Sequence, residues 1–178
     1  VRDQRDDEFT EFVVERGSQL LRTACLLTGD RGLGEDLVQT TLAKAYGAWP
    51  KVSRADEPAA YVRRIMVNAH LSWRRRLSST EQVMETLPDR GGGDHQSAHA
   101  EGDRVRRALL QLSPRVRTAV VLRYFDDLSE ADTARLMGCS VSTVGNHVTR
   151  GLAALRVLLA DDPDLTTTTV TTTARRQS

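Results

Sequence analysis

The 178-residue chain carries 25 Lys and Arg against 24 Asp and Glu, and 39% of its residues are hydrophobic. That suits one larger soluble domain or two small ones, and it argues against a spanning helix, since no apolar run approaches the ~20 residues such a helix needs. The polar, acidic N-terminus does not resemble a signal peptide, and two cysteines, Cys25 and Cys139, do not make a disulfide framework. Together these features point to a reducing cytoplasm.

Charge is unevenly placed. Residues 1–77 carry 13 basic and 11 acidic groups, 78–100 one and four, 101–160 nine and six, and 161–178 two and three. Two mildly basic blocks therefore flank an acidic connector, compatible with nucleic-acid contact. Nearly all the basic residues are Arg, which suits bidentate contacts to phosphates and bases, although a GC-rich genome also favours Arg codons.

No period-2 stretch of any length occurs, and the expected fold is all-α: two small helical domains joined by a flexible acidic linker. Phe9, Phe12, Val13, Leu20, Ala24 and Leu27 predict one or two helices, with a break near Gly17. Thr28-Gly29-Asp30 reads as a turn. A helix from about Leu33 to Trp49 is ended by Pro50, and a polar loop from Lys51 to Glu57 follows. Pro58 opens the next helix, expected to reach Arg76. Residues 78–100, with Pro88 and Gly91-Gly92-Gly93, read as the linker. The second block begins near Glu101, and Ser113-Pro114 restarts a helix inside it. Asp126-Asp127 marks a turn, Ser129 caps a short helix ending at Gly138, and Ser140 caps a longer one. The Thr-rich tail after Asp161 reads as disordered. The expected domains are 6–77 and 101–160.

Residues 129–156 predict a helix-turn-helix. At about 100° per residue, Val141, Val144, Val148, Leu152, Leu155 and Leu159 fall within about 80° of one another, a narrow stripe for burial. Ser142, Thr143, Asn146, His147 and Arg150 lie opposite, near the end that a recognition helix inserts into the major groove. Asn pairs with adenine edges, Arg with guanine or phosphate, and Ser or Thr with either. With Ser140 these residues are the candidate duplex readers. Ala134, Gly138 and Val144 stand at helix-turn-helix spacing. The plainer alternative is a helical hairpin with a solvated polar face.

On the Leu33–Trp49 helix, apolar residues spread over more than half the circumference, which means burial between two helices of its own domain or a partner surface. On the following helix Val62, Ile65, Met66, Ala69 and Trp73 share one side. Arg63, Val67, His70 and Arg74 lie opposite, flanked by Arg64 and Asn68. Such a stripe can track a phosphate backbone, or be a solvated Arg-rich face. His95 and His99 have an i, i+4 spacing usable for a metal, but in a Gly-rich segment without nearby Cys no metal or cofactor is expected. No nucleophile–base grouping or phosphate cradle occurs, so the chain does not read as an enzyme.

The string from Leu128 to Val144 resembles both the promoter-reading domain of sigma factors and the output domain of LuxR-type activators. The first block separates them. Residues 34–46, from Gly34 to Tyr46, resemble the polymerase-binding helix of sigma factors. Residues 60–76, Ala60 to Arg76, resemble the helix that captures the −10 promoter element. Over about residues 6–159 the chain is similar to the extracytoplasmic-function (ECF) sigma factors, nearest the actinobacterial SigE-like group. That resemblance implies a transcription initiation factor binding RNA polymerase core, at the β′ clamp and β flap, through Asp36, Leu37, Val38, Gln39, Leu42 and Tyr46. It implies that Lys51, Arg54, Tyr61, Arg64 and Asn68 hold a flipped −10 base, and that Glu81, Glu85, Asp89 and Asp94 mimic nucleic acid in the linker. An anti-sigma partner is also implied, without membrane insertion. Gly145 and His147 stand where relatives often have Lys and Arg, which weakens phosphate affinity. The rivals are a stand-alone LuxR-like regulator and an interaction module sequestered by a helical partner.

Overall fold

The structure, a computed structural model, describes residues 2–81 and 100–160. Among these residues there are eight helices and no strand: α1 Arg2–Thr28, α2 Arg31–Gly47, α3 Trp49–Val52, α4 Pro58–Glu81, α5 Ala100–Leu110, α6 Pro114–Tyr124, α7 Glu130–Met137 and α8 Val141–Ala160. The all-α expectation holds. The linker carboxylates Glu85, Asp89 and Asp94, the pair His95 and His99, and the Thr-rich tail lie outside the described residues.

Local chemistry sets most of the boundaries. Asp30 caps α2, its carboxylate accepting from the Leu33 amide at 2.8 Å. Gly29 supplies the left-handed residue of the turn before it, at φ 78°. Two boundaries differ from the expectation, and at Gly17 the single-helix alternative holds. The first helix runs unbroken through Gly17. A lone glycine costs about 1 kcal/mol in a helix, less than the packing of the flanking aromatics returns. Phe9 and Phe12 stack on the Trp49 ring at centroid distances of 5.0 and 5.4 Å, tying α1 to α3. The Leu33–Trp49 helix is two pieces, because Pro50 sits in the first turn of a separate one-turn helix, where its missing N–H costs little. The helix from Pro58 continues past Arg76 to Glu81.

Helices α1, α2 and α4 pack into the first bundle around Leu20, Ala24, Leu37, Ala45, Trp49, Val52, Val62 and Met66. In the second bundle α6 is central and buried from Val116 to Leu122, with α7 and α8 packed against it. Gly151 permits the close α6–α8 crossing, since a Cβ there would lie 2.5 Å from Val120 Cγ2 and 3.1 Å from Val116 Cγ1.

The two bundles also pack on each other, which was not expected of domains on a flexible tether. Val67 and Leu71 of α4 share one core with Ala119, Leu122, Ala134, Leu136, Met137, Val144 and Val148. Leu27 of α1 shares another with Leu109, Val116, Val120 and Leu155.

Candidate nucleic-acid interface

The turn between α7 and α8 follows from three residues. Ser129 Oγ accepts from the Asp132 amide at 3.0 Å and starts α7. Gly138, at φ 63° and ψ 43°, ends it in the left-handed conformation that glycine adopts without a Cβ penalty. Ser140 Oγ accepts from the Thr143 amide at 3.2 Å and contacts the Ser142 and Thr143 hydroxyls at 2.9 and 2.7 Å. Ala134 and Val144 are buried where the helices cross. Ser140, Ser142, Asn146 and Arg150 are exposed along one side of α8, with Thr143 and His147 half-buried beside them. Val141 departs from the expected stripe. It is 47% exposed.

Arg115, at the start of α6, joins this face. With Arg150 it lowers the pKa of His147, after the larger effect of burial. Both effects favour the neutral imidazole. Sequence reasoning missed Arg115 because it lies on another helix, 26 positions before the recognition helix begins.

On α4 the expected DNA face divides. Arg64 and Asn68 are exposed one turn apart, with Tyr61 half-buried one turn before them. The Lys51 ammonium lies 5.9 Å from the Tyr61 ring centroid. Lys51 belongs to α3 rather than to the expected loop, which begins after Val52 and carries the exposed Arg54. This open cluster pairs an aromatic ring with cations, the combination on which an unstacked base can lie. The other stripe is covered. Val67 and His70 have zero exposure against the second bundle, so the closed chain cannot present them to DNA. Arg63 is also engaged, its Nε 3.2 Å from Asp126 Oδ2, with only 14% and 3% of the two side chains exposed. Arg74 is half-buried beside His70 and Arg117.

Further bonds cross between the bundles, among them Arg106 Nη1 donating to the Gly29 carbonyl at 2.8 Å. Thr23 Oγ1 donates to Asp126 Oδ1 at 2.6 Å, and Arg117 Nη1 donates to the Leu27 carbonyl at 2.8 Å. Burial dominates the electrostatics. It pushes the Asp126 carboxyl up despite the Thr23 hydroxyl and the Arg63 charge. It brings Arg117 down to about 10, helped by Arg74. It brings His70 down to about 4, helped by Arg117 and then Arg74.

On α2, Asp36 and Gln39 are exposed, and Val38, Leu42 and Tyr46 are half-buried beside the first core. Leu37 is buried within that core, so its side chain is not part of the open surface. The broad apolar arc is thus used internally along Gly34, Leu37, Thr41 and Ala45, while Leu33 stays 40% exposed.

The fold is a helix-turn-helix packed behind a helical bundle, each with an exposed face of cationic and hydrogen-bonding side chains. Comparisons with known proteins narrow the class. The family model described as Sigma-70 region 2 matches residues 12–80, and that described as Sigma-70, region 4 matches residues 102–155. The RNA polymerase sigma-E factor of Streptomyces coelicolor is 37% identical over 158 residues, covering 88% of this chain and 89% of that protein. Its counterpart from Streptomyces antibioticus is 38% identical over 149 residues, covering 84% and 83%. Among solved structures, the sigma factor RpoE from Bartonella quintana, in complex with the anti-sigma factor NepR, matches with a TM-score of 0.71 at 24% identity. That match covers 87% of this chain and 98% of the other. The chain belongs to the sigma-70 family of RNA polymerase sigma factors, within its extracytoplasmic-function group. The region 2 match ahead of the helix-turn-helix leaves the LuxR-like alternative without support.

Proposed function

We propose that the chain is an alternative sigma factor that docks on RNA polymerase core through α2, captures the −10 strand with α4 and the loop before it, and reads −35 duplex with α8. The observation that carries this is the order of parts: a region 2 bundle with an open α2 face precedes a region 4 helix-turn-helix whose recognition side is exposed. Asp36 and Gln39 are central to the polymerase contact, bordered by Val38, Leu42 and Tyr46. Lys51, Arg54, Tyr61, Arg64 and Asn68 hold the −10 strand. Ser140, Ser142, Thr143, Asn146, His147 and Arg150 face the −35 bases and phosphates, with Arg115 on the phosphates. Extruding a −10 base costs a few kcal/mol of stacking, which the Tyr61 ring and its cations offset.

The polymerase surfaces would be the β′ clamp for α2 and the β flap for the second bundle, in the cytoplasm. Among the described residues no helix is long and apolar enough to cross a membrane. The solved neighbour RpoE from Bartonella quintana is in complex with the anti-sigma factor NepR, which supports a similar partner for this chain. The functional units are 6–77 and 101–160, joined by the acidic 78–100 linker. Run-off transcription with purified core polymerase tests the reading. Promoter-dependent RNA is expected only when core and chain are both present; tight site-specific binding by the chain alone, with no transcript, would overturn it.

A further inference from the structure

The α6–α7 turn inserts one carboxylate into the first bundle. Asp126 reaches Thr23 on α1 and Arg63 on α4, residues 103 and 63 positions away. Around this point Val67, His70 and Leu71 are covered by α6 and α7. The covered stripe is one side of the helix whose neighbouring side carries Arg64 and Asn68, open to solvent.

We propose that this contact is an autoinhibitory latch, in which the Asp126 carboxylate occupies Arg63 where a phosphate of the promoter strand would sit. The inference rests on the sigma-factor reading of α4. Its chemistry is direct: a carboxylate and a phosphate present the same anionic oxygens to a guanidinium, so they compete for it. While Asp126 is docked, Arg63, Val67 and His70 are closed to DNA and the recognition face of α8 stays open. The latch is also built to release. Asp126 is a buried carboxylate that desolvation disfavours, and His70 is a buried imidazole with neither ring nitrogen hydrogen-bonded among the described residues. Both groups gain hydration when the bundles part. Replacing such buried polar groups by apolar side chains is often neutral or stabilising, so packing stability alone does not account for them.

The test compares Asp126→Asn with Asp127→Asn in the full chain. Asp127 is the exposed neighbour, so the second substitution makes the same charge change without touching the latch. Binding of a fluorescent 20-nucleotide single-stranded DNA of random sequence is measured alongside amide hydrogen exchange. Asp126→Asn is expected to bind the DNA about fivefold tighter than the native chain and to exchange faster over residues 63–74. Asp127→Asn is expected to stay within about twofold of native on both readouts. Equal behaviour of the two variants, or native behaviour of Asp126→Asn, would overturn the latch. If Asp126→Asn also loses protection across α2, the reversed pair Arg63→Asp with Asp126→Arg decides. It is expected to be as compact as the native chain in small-angle scattering, and a chain as open as Asp126→Arg alone would overturn the proposal. None of these readouts involves polymerase, so a failed latch and a failed sigma reading give different results.

Discussion

His70 sits on α4 against α6 with no exposed surface, and its neighbours Arg74 and Arg117 are both cationic. Its pKa is lowered from 6.5 to about 4, so the packed chain holds the ring neutral and excludes a proton that the unfolded chain accepts. A proton binding preferentially to the unfolded state destabilises the folded one as pH falls. Stability on this account is full above pH 6.5 and declines toward pH 4, by up to about 3 kcal/mol. Asp126 acts in the opposite direction at the acid end, because its raised pKa favours the packed form once it is protonated. His70→Leu separates the two. Urea unfolding at pH 7 and pH 5 should show the native chain losing stability on acidification and the variant losing much less. The variant should also be at least as stable as native at pH 7, since an unpartnered polar ring has been replaced by an apolar one. A steep acid loss in the variant would remove His70 from this role.

At the scale of the element, α8 carries two glycines with opposite meanings. Nothing lies within 4 Å of a Cβ built on Gly145, whereas one on Gly151 would meet Val120 and Val116 of α6. Gly145→Ala should therefore raise stability by about 0.5–1 kcal/mol in thermal or urea unfolding, through helix propensity alone. Gly151→Ala should lower it by about 1–3 kcal/mol, as α6 and α8 are forced apart. Asn146→Ala and Arg150→Ala leave the buried side of α8 intact. Each should relax preference at one −35 position by about 1–3 kcal/mol in a base-substitution binding series with holoenzyme. An unaltered base profile would take those residues off the bases.

The helix-turn-helix was legible because every signal for it is local. Ser129, Gly138 and Ser140 act within three or four residues, and the Val144–Val148–Leu155 stripe repeats at helical period. The same periodicity placed Arg63, Val67, His70 and Arg74 on one side of α4, correctly as a face and wrongly as an open one. What covers them comes from positions far along the chain, and a helical wheel records only which residues face the same way. Gly17 left one helix or two open for a related reason. Its propensity cost is local, while the stacking of Phe9 and Phe12 on Trp49 that outweighs it spans about forty residues.

Over the whole molecule, the two bundles form one packed body joined by Asp126, Arg117 and two shared cores. Flexibly tethered domains would leave those surfaces wet. The open surfaces lie elsewhere, with Asp36 and Gln39 on α2 and the recognition side of α8. Both faces are thus accessible while the bundles are packed together. Asp36→Ala with Gln39→Ala should weaken binding to core about tenfold or more in a fluorescence titration, while the exchange pattern of the free chain stays native. Unchanged core affinity would move the interface off this face.

Selection of DNA from a random library, with the chain bound to core polymerase and with the chain alone, bears most directly on the two-site reading. The holoenzyme should recover two preferred blocks at a fixed spacing upstream of a transcription start, the inner block disappearing when core is omitted. A single block, recovered equally well by the free chain, would contradict it.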